Sequence, residues 1–590
     1  MKHFLSYLIL ALLFASCSSS SQENTQQENI PSGPAKGGVY YGGEFHLNES
    51  EYIKSLYPLS IADVYSYRVA CQIYEGLFKF DPATLEVVNG LAESYTLDST
   101  RTIYTIKLRK GVRFHDDPCF PDGKGREVKA QDVAYCFQRV CTQSSNNQGF
   151  TIFKDLLKGA NEYYAASAGG NTPSFDIAGI KVIDDYTIQL QLTRPYAFFL
   201  YNLARPFAFI YPREAVEKYG EDGLREKAVG TGPFFLASID PGNAILLKRN
   251  PHYYMKDEHG NQLPYLHGIK ISFIREKKTE YNEFRAGKLD MVYRLPTERI
   301  IDFLMEAEKS ENGEVQDFIL DRVPEMATQY LTFMTAKGVF QNKNLRKAFN
   351  FAIDREKILE FVLNGEGEAP GHHGIVPPVF KNYDINKIRG YQLNIDSAQY
   401  YLAKAGYPNG NGFPEITLQV NAEGDRHLNV ALEIQKQLQE NLNIKINIET
   451  LPFAQLLENS LQGKFDLVRT AYFADYPNPE NFLWLFTGME VPDSFEEKSY
   501  PNIARYKNPR YDELYNKALL ASTPEEAYRY LQQAEQILLD DAVILVLWYD
   551  EAYRLTQPYV RNFPNNPIQY RDFTKVYFDK SYFEKQNAKK

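Results

Sequence analysis

Arg469 and Asp475 stand six residues apart, in a segment, 465–475, whose first half alternates like a strand. At ~3.3 Å per residue an extended chain would turn both side chains to one side, with Cα atoms up to ~20 Å apart. A guanidinium and a carboxylate so placed could hold the two ends of a ligand that carries an anionic and a cationic group. The Arg fork suits the anionic end because it bonds a carboxylate in a bidentate way. Each residue also has a plainer reading. Asp475 precedes Pro477 by two positions, as a turn residue does, and Arg469 could belong to an internal ion pair.

Other ligating side chains are weaker candidates. Gly371-His372-His373-Gly374 could hold a metal or set a His beside a ligand carboxylate, although adjacent His on a Gly-flanked loop suit a solvated surface better. His115-Asp116-Asp117 could suggest a metal or acid–base site. Apart from Cys17 there are four cysteines, Cys71, Cys119, Cys136 and Cys141, in no zinc spacing. Cys136 and Cys141 would fall on different faces of one helix. Cys119 with either could form a disulfide, and buried free thiols fit as well. The chain lacks Gly-x-Ser-x-Gly, His-Glu-x-x-His and the Walker loop, so no motif marks an enzyme, and neither a metal nor a cofactor is expected.

The elements that must position these residues mix strand and helix. Residues 104–109, 244–248, 269–274 and 416–420 read as strands, and 182–192 as a turn at Asp184-Asp185 followed by a strand. Helices are expected at 130–141, 344–364, 395–405 and 428–441, the last with an apolar stripe of Ala431, Ile434, Leu438 and Leu442. This intermixing gives an α/β class with mixed sheets. At 44% hydrophobic and 24% charged residues the chain is globular, and a net charge of −10 argues against a nucleic-acid partner. Aromatic residues reach 14%, with 43 Tyr and 38 Phe, which suits an adaptable binding surface or reflects a habit of composition.

The N-terminus sets the address. Met1-Lys2-His3 is basic, and Phe4 to Ala15 is an apolar run too short for the ~20 residues of a bilayer span. It ends in Phe14-Ala15-Ser16-Cys17, which resembles the bacterial lipoprotein cleavage box, with Phe14 where Leu is usual. The resemblance implies that residues 1–16 are removed and that Cys17 carries lipid. Residues 17–38 then form a polar tether that cannot build a core. Attached acyl chains, at ~0.8 kcal/mol per buried methylene, would hold the protein on the periplasmic side of a bacterial membrane. Of 590 residues, 574 would remain, enough for two or three domains.

Nine motifs then occur in order: Ile73-Tyr-Glu-Gly-Leu-Phe78; Leu91-Ala-Glu-Ser-Tyr95 with Leu108-Arg-Lys-Gly-Val-Arg-Phe-His115; Val128-Lys-Ala-Gln-Asp-Val133; Gly230-Thr-Gly-Pro-Phe234; Arg249-Asn-Pro-His-Tyr-Tyr254; Leu345-Arg-Lys-Ala-Phe-Asn-Phe-Ala-Ile-Asp-Arg355; Ala403-Lys-Ala-Gly-Tyr-Pro408; Phe473-Ala-Asp-Tyr-Pro-Asn-Pro479; and Tyr506-Lys-Asn-Pro509. In this order they resemble the family 5 solute-binding proteins of peptide and nickel ABC importers. The resemblance implies a two-lobed clamshell with an extra domain inserted in the N-terminal lobe. The first lobe would be 39–74, 187–283 and 547–590, the insert 75–186 and the second lobe 284–546. It implies a monomer that binds short peptides and passes them to a membrane permease. The alternatives are another solute, such as nickel–chelator, haem or an oligosaccharide, or a surface lipoprotein without transport.

The resemblance also implies roles. Asp475 falls where oligopeptide binders pair an Asp with the ligand amine, and Arg469 where some members face the carboxylate. Thr470, Ala471, Tyr472 and Phe473 would offer backbone groups to an added strand. Ala62, Asp63 and Val64 fall near the ligand-facing strand of the first lobe, one position off the family's acidic residue. Trp548 and Tyr549 fall where binders place aromatics. His115-Asp116-Asp117 falls in ordinary strand and turn.

Overall fold

The computed structural model describes residues 30–588, apart from 62, 423, 424, 490, 522 and most of 296–317. Cys17, the first part of the tether and Ala62 lie outside the described residues.

Three larger sheets organise the chain. The first is mixed and runs Phe234–Asp240, Ala244–Arg249, Gly268–Phe273, Glu44–Glu49. Its last two strands are parallel, with Phe45 beside Ile269 and Leu47 beside Ile271. All four of these side chains are buried, while Glu44 and His46, which alternate with Phe45 and Leu47, stay partly exposed, a two-residue period that ends where Asn48 and Glu49 are also buried. Gly230 and Gly232 let a loop press against the end of the helix Val64–Ile73, since a Cβ on Gly230 would lie 2.1 Å from the Ile73 carbonyl oxygen.

The second sheet is antiparallel, in the order Ala92–Leu97, Ile103–Leu108, Thr187–Gln191, Ile180–Asp184. Tyr104, Ile106, Ile188 and Leu190 are buried in it, and the helix Ala130–Val140 packs on the hairpin of its last two strands. Residue 186, the expected edge of the insert, lies in the turn of that hairpin.

The third sheet has seven strands. Its main path is Met291–Tyr293, Ile544–Thr556, Ile319–Phe333, Leu467–Phe473, Thr417–Asn421, Asn447–Leu451, and Ala369–Pro370 adds to Ile544–Thr556. Every residue of Ile544–Thr556 is buried, so both faces are covered and no alternation is visible in its sequence. This strand and Ile319–Phe333 pair antiparallel along most of their length, with register shifts between Pro324 and Thr328 and between Gln329 and Tyr330. The first bulge bends the strand, as an extra residue on one side of a ladder does, and frees the Met326 N–H to bond the Pro567 carbonyl at 2.8 Å.

The helix expected over 344–364 is interrupted. Lys343–Ala352 stops at Ile353, which is extended, and Asp354 caps a new turn by accepting from the Lys357 N–H. The buried Arg355 guanidinium holds the break, bonding the carbonyls of Val546 at 2.6 Å and Asn350 at 3.0 Å. All four described cysteines are free thiols, so the disulfide option does not occur. No described helix is long and apolar enough to cross a membrane.

Candidate functional site

A cavity of about 740 Å³ opens between the first and third sheets. Its walls come from the end of Glu44–Glu49, the start of Val64–Ile73, the Arg205–Phe207 segment, the helix Lys277–Arg285, the bulge at Glu325 and Met326, residues 473–475, and Pro567–Arg571. Segments hundreds of residues apart thus meet in one space.

Asp475 follows the strand Leu467–Phe473. The Ala474 N–H bonds the Met326 carbonyl at 2.9 Å, and the Asp475 N–H bonds Asn481 Oδ1 at 2.8 Å. Asn478 N–H closes the following turn on the Tyr476 carbonyl at 2.8 Å. The turn is therefore held by backbone and Asn groups, which leaves the Asp475 carboxylate to the cavity. That side chain is 52% open, yet protein surrounds the space it opens into, and this burial pushes its carboxyl above the usual range while Arg205 pulls it down. Arg205 Nη2 stands 3.6 Å from Asp475 Oδ2, a loose pairing. The Arg205 guanidinium is steadied by the rings of Phe207 and Tyr476, each 5.4 Å away.

Phe473, Asp63 and Val64 also line the cavity. Phe473 is exposed and lies under the Arg294 guanidinium at 5.4 Å. The Asp63 carboxylate caps its helix, accepting from Ser66 N–H at 2.9 Å and from Ser66 Oγ at 2.8 Å. Among the described residues, the outer edge of Leu467–Phe473 has no strand partner beyond Val468, because the parallel neighbour meets it only at Leu467 and Val468. The backbone of residues 469–473 is therefore an open edge.

Arg469, Thr470, Ala471 and Tyr472 are not in the cavity wall. Arg469 reaches Asn421 Oδ1 at 3.2 Å and Gln329 Oε1, and burial lowers its guanidinium to about 10. Gln329 passes the contact to Asp550 at 2.6 Å, which also accepts from Trp548 Nε1 at 2.8 Å and Arg426 Nη2 at 3.3 Å. His427, in the same polar group, is pushed down to about 3 by burial and then by the charges of Arg469 and Arg426. The Thr470 and Thr332 hydroxyls meet at 2.8 Å, Ala471 lies opposite Gln329, and Tyr472 Oη donates to Asn481 Oδ1 at 3.1 Å. Trp548 and Tyr549 are each 1% exposed, with Tyr549 Oη on the Gly374 carbonyl at 2.8 Å.

The remaining candidates serve packing. His115 is buried with Nε2 2.9 Å from the Gly232 carbonyl, and burial lowers its pKa to about 4. His373 Nδ1 lies 3.1 Å from the Ile388 carbonyl. No cluster of three metal-ligating side chains occurs among the described residues.

Sequence reasoning missed Arg205, Arg294 and the group of Glu49, Arg68 and Arg571. Each is an isolated charge in its own segment, and only the fold brings them to one wall.

A family model, "Bacterial extracellular solute-binding proteins, family 5 Middle", matches residues 86–491. The chain is 26% identical to Heme-binding protein A of Haemophilus influenzae, over 98% of this chain and 99% of that protein. It is equally 26% identical to the periplasmic murein peptide-binding protein MppA of Escherichia coli, over 96% and 97%. Its fold matches DppA from Helicobacter pylori in complex with the peptide STSA, with a TM-score of 0.74 at 24% identity over 92% of this chain and 99% of that one. The chain belongs to the bacterial extracellular solute-binding proteins of family 5.

Proposed function

We propose that this protein captures short peptides in the cavity between its first and third sheets and delivers them to the permease of an ABC importer. Family 5 members are binders and not enzymes, and they act as the substrate-binding component of such importers. The observation that carries the peptide reading is the open Asp475 carboxylate beside an unpaired strand edge. A peptide amine would displace the loosely held Arg205 and neutralise a carboxylate whose surroundings already disfavour its bare charge. The peptide backbone would pair by strand addition at the end of that edge, where Phe473 reaches the cavity wall. In this reading residues 284–546 form a lobe that closes over the first. Cys17, acylated, tethers the protein to the envelope.

Asp475→Ala tests the assignment. Free-amine peptides should lose roughly 10- to 100-fold in affinity by calorimetry, the value of a hydrogen bond to a charged group, while N-acetylated peptides lose little. Equal losses for both would remove Asp475 from the amine site. The likeness to Heme-binding protein A along nearly the whole chain favours haem as the second reading of the same cavity.

A further inference from the structure

The cavity wall around Tyr293 holds more positive charge than it neutralises. The guanidinium carbons of Arg68, Arg571 and Arg294 lie 5.3, 5.4 and 5.7 Å from the Tyr293 ring centre. Among the described residues two carboxylates pair directly with these three cations, and the charge of Asp550 also reaches Arg294. Glu49 bridges Arg68, at 3.0 Å, and Arg571, and Glu325 pairs with Arg294 at 2.5 Å. The Tyr293 hydroxyl donates to Glu325 and accepts from Arg294 Nε at 3.3 Å. The neighbouring charges cancel elsewhere: Lys277 pairs with Glu280 at 2.7 Å, and Arg554 with Asp321 at 2.8 Å.

The surplus sits in a desolvated place. Arg571 and Arg68 have side chains 3% and 8% exposed, yet both line the cavity. Among the described residues, Arg571 Nη2 and Arg68 Nε have no hydrogen-bond partner. A buried guanidinium short of an acceptor is costly, and an anion entering the cavity would relieve that cost. Burial, and then the charge of Arg68, lower the Arg571 guanidinium to about 10, whereas Glu49 and Tyr293 outweigh burial at Arg68 and raise it, so of the two Arg571 is the less fully neutralised.

We infer that Arg571 and Arg68, ordered by Glu49 and Tyr293, form an anion subsite that takes a carboxylate of the bound peptide. The ligand's negative charge is then read at the wall shared by the first sheet and the C-terminal segment, and its amine at Asp475, inside one cavity. This rests on the peptide reading and adds that the ligand must carry a carboxylate, either its own C-terminus or an acidic side chain.

The test is capture by the full mature protein from three mixed-sequence tripeptide pools, read by mass spectrometry. One pool has neutral side chains and free C-termini, one is the same as amides, and one is amidated with a single Glu. Wild type should prefer a carboxylate-bearing pool over the neutral amides by about 30-fold or more, the loss expected when one partner of a buried charge pair is removed. Preference for the first pool names the C-terminus as the source, and for the third the side chain. Arg571→Gln should abolish the preference while neutral-amide capture persists, and Arg68→Gln should weaken it. Glu49→Gln keeps both cations and should sharpen the preference, which keeps the test open if Arg571→Gln does not fold. A preference that survives in folded Arg571→Gln, or that Arg469→Gln alone destroys, overturns the subsite. Capture by wild type without any carboxylate preference does the same. Failure to capture peptide from any pool overturns the peptide reading itself.

Discussion

Asp475 combines two tasks that its sequence context left open. It sits at a turn, as the following Pro477 suggests, but Asn481 and the Asn478–Tyr476 contact hold that turn, and the carboxylate is left to the cavity. Its pKa is raised, first by burial and against the pull of Arg205. An amine ligand needs the ionised form, so affinity is full at high pH and falls as pH drops through this raised value. Calorimetry of a free-amine peptide should therefore show the loss beginning above the ordinary aspartate range of about 4, and Asp475→Asn should flatten the dependence. Asp63 was a softer expectation, and in the structure it reaches the cavity wall while capping a helix. Arg205 could not have been found from its own surroundings in the sequence. Its meaning comes from Asp475, Phe207 and Tyr476, and two of these lie some 270 residues away.

Elements with one covered face were the legible ones. Strands such as Gly268–Phe273 and Ile103–Leu108 alternate because one side meets the core and the other meets water. Ile544–Thr556 is covered on both sides and shows no period, although it spans the centre of the largest sheet. The break at Ile353 in 344–364 has no local mark, because it depends on Arg355 bonding a strand almost 200 residues away. The bulge at Glu325 and Met326, which shapes the cavity, is marked in the sequence only by Pro324 beside it, which cannot donate to a ladder.

The helix Pro524–Asp540 carries a buried acid, Glu535, which supports the loop after Gly374. It accepts from Val376 N–H at 2.9 Å and Tyr383 Oη at 2.6 Å, and among the described residues it pairs with no cation. Burial raises its pKa from 4.5 to about 7. The folded state therefore holds a proton that the unfolded state releases near 4.5. The stability this gives is complete below pH 4.5 and is lost as pH rises through 7, by about 3 kcal/mol in all. Glu535→Gln should remove this dependence. In urea melts the variant should gain on wild type between pH 5 and pH 8, and a constant difference across that range would refute the assignment.

At the scale of the molecule, the ordered motifs identified the family from sequence, and the match over residues 86–491 bears that out. The α/β fold with mixed sheets was legible for the same reason, and some of the motifs mark close approaches that the fold needs, such as Gly230 against Ile73. The cavity was legible only in part. Asp475 and Phe473 could be named because they belong to one of the ordered motifs, whereas Glu49, Arg68 and Arg571 come from opposite ends of the chain and meet only when the sheets assemble. Peptide capture in this cavity is the central proposal, and what the protein carries when purified tests it most directly. Denaturing the full mature protein, purified without added ligand, and reading the released small molecules by mass spectrometry should yield short peptides with free amines, and these should be depleted in Asp475→Ala. Release of haem, a metal–chelator complex or a sugar, with no peptide, would contradict the account.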